Sequence, residues 1–320
     1  MSRYLRNTTL LAKVETAYGT DAVPTGAANA MLVSDVTITH TYANVGRDLI
    51  RSFMGGSEEL VGTKHVAIEA TVELQGSGTA GTAPAWGPLM RACGFAENDL
   101  LTPDRIEYVP VSTAFESASI YYYMDGALHK ALGCRGNVEI NAGIGERPTL
   151  KFSLLGIDGG VTAAAPSGVT YASFKTPLVV TEANVAEFLM GCTYATGAFT
   201  GGADFCSRGL TLNAGNDVQY IPTLGCEGVD IVSRAATGSL SLDLAAAAEV
   251  TAMTAVEANT LTSIGMTLGA SAGYITRIFV PYAQRTNPRY EDVSGRAHVS
   301  FDLRCVPGAT GNDEIKIILT

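Results

Sequence analysis

Apolar and polar residues alternate with a period of two in several stretches of the chain. Val36, Ile38, His40 and Tyr42 alternate with Thr37, Thr39 and Thr41, the pattern of a half-buried strand rich in branched side chains. The clearest strand is His65 to Leu74. Val66, Ile68, Ala70, Val72 and Leu74 share one face, and Glu69, Thr71 and Glu73 share the other, so one side is expected to be buried and one polar. Between these strands lies a polar connection from Ala43 to Lys64, about 22 residues long, above the usual loop length and thus expected to be functional or disordered. Trp86, Leu89, Met90 and Cys93 have i, i+3, i+4, i+7 spacing, which predicts a short amphipathic helix ending at Gly94. Further strands are predicted at 106–112, 118–124, 137–141 and 149–155, with Asp125–Gly126 as a hairpin turn. Residues 1–30 lack clear periodicity and read as an extended arm.

The second half repeats this order. Gly209–Asn213 corresponds to Asp35–Thr39 and Ser239–Asp243 to Ala70–Leu74. A helix-prone run, Ala245 to Ala258, takes the place of Trp86–Cys93. Tyr274–Val280 corresponds to 119–124, and Gly295–Leu303 to Glu146–Leu154. A period of about 150 residues points to a duplicated β domain. Residues 158–175, poor in large apolar groups, form the predicted linker. The division is therefore an arm (1–30), a first β domain (31–157), a linker (158–175) and a second β domain (176–320).

Composition narrows the function classes. Of 320 residues, 35 are Gly and only 16% are charged, which suits short strands and many turns. Lys+Arg is 21 against 31 Asp+Glu, a net charge of −10, which argues against a protein that clamps nucleic acid through clustered cations. There is no apolar run of about 20 residues and no signal-like N-terminal segment, so folding in a cytoplasm is expected. The six cysteines show no CxxC or Cys–His metal spacing and read as reduced, buried thiols. No metal or cofactor is expected.

Three motifs resemble chemistry but lack its context. Gly76–Gly81 matches GxGxxG, yet the preceding strand alternates instead of being apolar throughout, and Pro84 and Pro88 crowd the helix start. Gly269–Gly273 matches GxSxG around Ser271, but a strand follows where a nucleophile elbow needs a helix. Tyr121–Tyr123 has no basic groove beside it and reads as a packed aromatic strand. His40, His65, His129 and His298 are scattered. No catalytic residue is expected.

Longer segments carry a resemblance. Leu10–Asp21 with Pro24 and Thr25, the run Gly76–Ser77–Gly78 with Ala83–Pro84–Ala85–Trp86–Gly87–Pro88–Leu89–Met90–Arg91–Ala92–Cys93–Gly94–Phe95, Tyr123–Gly126, Gly133–Gly136 and Gly311–Glu314 resemble the major tail tube proteins of long-tailed, non-contractile bacteriophages. The resemblance implies a mainly β fold: two tandem tail-tube-like barrel or sandwich domains, each with a flanking short helix. It implies rings that stack into a tube conducting DNA in the virion tail, assembled in the host cytoplasm. Partners would be copies of the chain, a tape measure protein, and tail terminator and distal tail proteins. If the chain holds two tube domains, three chains make a pseudo-six-fold ring. Six chains, each with one tube domain and one appended domain, are the alternative.

The residues add to this. Open sheet edges with few lysines need pairing, and a closed ring supplies it. The arm 1–30 and the loop 43–64 are expected to order on the neighbouring ring, with Arg47, Asp48, Arg51, Glu58 and Glu59 as inter-ring ion-pair candidates. An acidic wall repels phosphate, so Glu69, Glu73 and Asp243 are the lumen candidates. A β-rich virion-surface or cell-surface binding protein, such as a decoration protein or adhesin, is the other reading.

Overall fold

A computed structural model describes residues 3–320 of the chain. The first half contains β1 (Thr8–Val14), α1 (Gly26–Asn29), β2 (Ala30–Met31), β3 (Val33–Val45), β4 (Leu60–Glu73), α2 (Gly87–Ala92), β5 (Phe95–Leu101), β6 (Asp104–Pro110), β7 (Ala118–Met124), β8 (Ala127–Gly143) and β9 (Thr149–Ala163). The second half contains β10 (Val185–Met190), β11 (Thr193–Ala195), β12 (Ala198–Thr200), β13 (Ala203–Asp204), β14 (Cys206–Asn213), β15 (Asn216–Ile221), β16 (Gly228–Arg234), β17 (Thr237–Asp243), α3 (Ala246–Glu257), β18 (Leu261–Leu268), β19 (Thr276–Val293), β20 (Arg296–Cys305) and β21 (Lys316–Leu319). The fold is mainly β, with packed sheet layers of sandwich type and no closed barrel.

The two halves share one strand order. In the first, antiparallel pairing runs β3–β4–β9–β8–β7–β1. In the second it runs β14–β17–β20–β19–β18–β10. The helix stands between equivalent strands in each, α2 between β4 and β7 and α3 between β17 and β18. The register agrees as well. Ala70 lies opposite Phe152, and Leu240 lies opposite Phe301. A bulge interrupts β3 between Ser34 and Thr37 and β14 between Ser207 and Leu210, with a left-handed residue inside each, Asp35 (φ 51) and Gly209 (φ 128).

The halves are joined by hydrogen-bonded strands. The C-terminal part of β8 pairs with β14, Leu212 opposite Ile140 and Thr211 opposite Asn141. The C-terminal strand β21 pairs with β6 on one side and β19 on the other. One apolar cluster runs through both halves, including Leu10, Trp86, Phe152, Leu212, Phe301 and Ile317. The single tryptophan is fully enclosed, and its indole NH donates to the Gln75 carbonyl at 3.0 Å, the partner a buried indole requires.

Several expectations need correction. Residues 1–30 are no free arm. Thr8–Val14 pairs with β7 along its whole length, while residues 1 and 2 lie outside the described residues. Leu10 and Ala12 enter the main core, whereas Leu11 enters a second cluster with Tyr121, Tyr123 and Leu128. A strand buried on both faces shows no alternation, which hides it from periodicity. The expected linker 158–175 begins inside β9, because residues 158–163 stay paired with the start of β8. The connection 43–64 is narrower than expected. β3 continues to Val45 and β4 starts at Leu60, so a two-stranded arm projects and only 46–59 is loop. Cys93, Cys134, Cys192 and Cys305 are buried as expected, but Cys206 and Cys226 are exposed.

Candidate assembly surfaces

The four-strand unit β3–β4–β9–β8 has one face in the core and one in solvent. On β4, Ile68, Ala70 and Val72 are buried and Glu69 and Glu73 point the other way. On β17, Leu240 and Leu242 are buried and Asp243 points away. The three acidic candidates therefore share the polar face of the sheet, and Glu73 and Asp243 hold equivalent positions. Each has a cation beside it. Glu73 pairs with Arg147 at 2.8 Å and Asp243 with Arg296 at 2.6 Å, the same ion pair in both repeats. Lys151 stands 3.9 Å from Glu69. On β19 and β20, Arg289 holds Asp302 at 2.5 Å. The Asn287 amide and Arg289 keep that carboxyl below the usual range. The face thus mixes compensated charges with Thr, Ser and Asn and is not uniformly acidic.

The loop 46–59 carries the inter-ring candidates. Arg47 and Arg51 both reach the Glu58 carboxylate, Arg51 at 3.4 Å. Asp48 and Glu59 are exposed, and no ion pair of theirs is found among the described residues. What the sequence reading missed is apolar. Ile50 and Met54 are fully exposed and Phe53 largely so, under the Arg51 guanidinium at 5.9 Å. Large apolar residues in a polar loop were the available signal.

Among the open strand edges, two are long and belong to the main sheet. β3 pairs only with β4, and the outer side of β19 beyond Gln284 pairs with no strand among the described residues. Tyr290 on that edge is 64% exposed and donates its hydroxyl to Glu249 of α3 at 2.6 Å. The carboxylate pushes the phenol pKa up. The arm adds exposed Tyr42, Val45, Leu60 and Val61.

The motifs that resembled chemistry are structural. Gly78 donates its amide to the Gly273 carbonyl at 3.1 Å, so the GxGxxG and GxSxG loops pack on each other. Ser271 lies in a turn that closes on the Tyr274 amide and runs into β19. Tyr122 enters the main core, and Tyr121 and Tyr123 the second cluster.

Open sheet edges and an apolar loop tip are the features of a surface that associates. A family model described as phage tail tube protein matches residues 6–310. The chain belongs to the phage tail tube protein family. A comparison with curated proteins finds no match. This tail tube protein is a structural component of the phage tail and assembles into a tube. Among the described residues no helix is long and apolar enough to cross a membrane, and no group of metal-binding side chains is found.

Proposed function

We propose that three copies of this chain close head to tail into a ring of six tube units, and that stacked rings form the conduit for phage DNA. The observation that carries this reading is the β8–β14 junction. It joins two units of the same strand order inside one chain and leaves β3 and β19 as free ends of opposite kind. A heterologous joint of that sort, repeated, makes a ring when its rotation closes. Two units per chain make three chains equivalent to six.

The polar face with Glu69, Glu73 and Asp243 lines the lumen in this reading. Its alternating charges and short hydroxyl side chains give passing phosphates little to hold. Loop 46–59, with Arg47, Asp48, Arg51, Glu58, Glu59 and the apolar tip, contacts the next ring. A tape measure protein inside the tube and terminator and distal tail proteins at its ends complete the set of partners, and assembly takes place in the host cytoplasm.

Negative-stain microscopy with native mass measurement of purified rings tests the proposal. The expected result is a central hole, six lobes and a mass of three chains. Rings of six chains, or a strict monomer at every concentration, overturn it.

A further inference from the structure

The internal junction prescribes the register of the junction between chains. We propose that the β3 edge of one chain pairs antiparallel with β19 of a second copy, with Thr37 opposite Glu291 and Ile38 opposite Tyr290 of that copy. This rests on the ring reading above and specifies its contact.

The assignment follows from equivalent positions. Ile38 lies opposite Ile68, and Leu212 opposite Gly238, the position equivalent to Ile68. Ile140 lies opposite Leu150, and Tyr290 opposite Val299, the position equivalent to Leu150. Inside the chain Leu212 meets Ile140, so its counterpart between chains is Ile38 with Tyr290. Burial supports this. At the closed junction Leu212 and Ile140 are 0% and 1% exposed, whereas Tyr290 is 64% exposed and Ile38 is only half-buried. These are core-facing positions still lacking their cover, and a one-residue slip would turn them to the wrong face.

The hairpins show the same relation. The β15–β16 hairpin lies on the first half, where Asn216 donates its side-chain amide to the Cys93 and Gly136 carbonyls at 2.7 and 3.0 Å. Its Ile231 is buried there. The β3–β4 arm is its equivalent, and Val61, in the place of Ile231, is 66% exposed. The arm accordingly reaches over the second half of the adjoining copy.

The test is cysteine pairing in a Cys206→Ser, Cys226→Ser background, which removes the exposed thiols. Opposed Cα atoms in an antiparallel pair are ~4.5–5.5 Å apart, within disulfide range. Mild oxidation of assembled T37C/E291C is expected to link chains to one another, including closed trimers, at least ten-fold more than the slipped pair T37C/D292C. Rings that form without this cross-link, or that link the slipped pair better, overturn the register alone. Failure of the Cys206→Ser, Cys226→Ser parent to form rings overturns the ring reading and this proposal together. Tyr290→Asp is expected to keep the monomer's circular dichroism and melting profile while lowering ring yield at least ten-fold. Normal ring yield counts against the contact.

Discussion

The Gly78 amide and the Gly273 carbonyl meet at 3.1 Å, joining loops from opposite halves of the chain. Gly273 has φ +83, and a Cβ built there would stand 2.4 Å from the Gly78 carbonyl carbon. Substitution Gly273→Ala is therefore both conformationally strained and blocked by backbone that cannot rotate away. The expected loss is about 2–4 kcal/mol, read as a lower urea midpoint. Gly295→Ala, with φ +84 but open space around it, is expected to lose only about 1 kcal/mol.

Glu15 ties the first strand to the sheet. Its carboxylate is buried and accepts from the Ser117 and Ser119 hydroxyls at 2.6 and 2.8 Å and from the Gly19 and Gly133 amides at 2.7 and 2.8 Å. Glu15→Ala leaves several donors unpaired at once. A loss of about 2–4 kcal/mol is expected, since each unsatisfied buried group costs ~1–3 kcal/mol. Thermal unfolding checks it, and an unchanged midpoint would remove Glu15 as an anchor.

His129 is expected to make stability depend on pH. His129 Nδ1 is 2.9 Å from His40 Nε2, and Asp158 stands 3.9 Å from the other side of His40. Burial, then the neighbouring His40, holds the His129 pKa below its ordinary value. The unfolded chain thus takes up the proton first, so stability contributed above pH ~6.5 is lost as the pH falls below it. Urea midpoints at pH 7.5 and 5.5 should differ, and His129→Gln should flatten that difference.

Loop 46–59 is expected to matter for stacking and not for folding. The Arg47–Glu58 pair is exposed, so Glu58→Ala should change monomer stability by less than about 1 kcal/mol. Ile50→Ser with Met54→Ser should leave single rings intact and shorten or abolish tubes in micrographs. Full-length tubes from that variant would place the inter-ring contact elsewhere.

Charge reversal probes the lumen. Glu69→Lys, Glu73→Lys and Asp243→Lys together add cations beside Lys151, Arg147 and Arg296. Phage carrying them should eject DNA more slowly in a dye-release assay, with the effect fading at high salt. Unchanged kinetics would take these residues off the conduit wall.

How much of this was legible depends on how each segment is covered. His65–Leu74 was readable because it has one wet and one dry side, and the Trp86–Cys93 helix because its buried Trp86, Leu89, Met90 and Cys93 keep helical spacing. The repeat was readable in order but not throughout in register: Phe152 and Phe301 are equivalent as read, whereas Asp243 matches Glu73 and not Leu74, and Tyr274–Val280 leads into β19, the counterpart of β8 and not of β7. β1 was not, since Leu10 and Leu11 are buried on opposite faces and no alternation remains. The residues 158–163 were misread because glycines in a paired edge look like glycines in a linker. Ile50, Met54 and Tyr290 carried no pattern, because the surfaces expected to cover them belong to other molecules.

The repeats differ in one respect with a geometric consequence. Only the first bears the long loop 46–59, while the second has the compact β15–β16 turn in its place. A ring of three such chains offers its neighbour long loops at alternate units only. One ring then has three equivalent seatings on the next, a third of a revolution apart, and not six, so the stack keeps the symmetry of the chain and not of the half-chain.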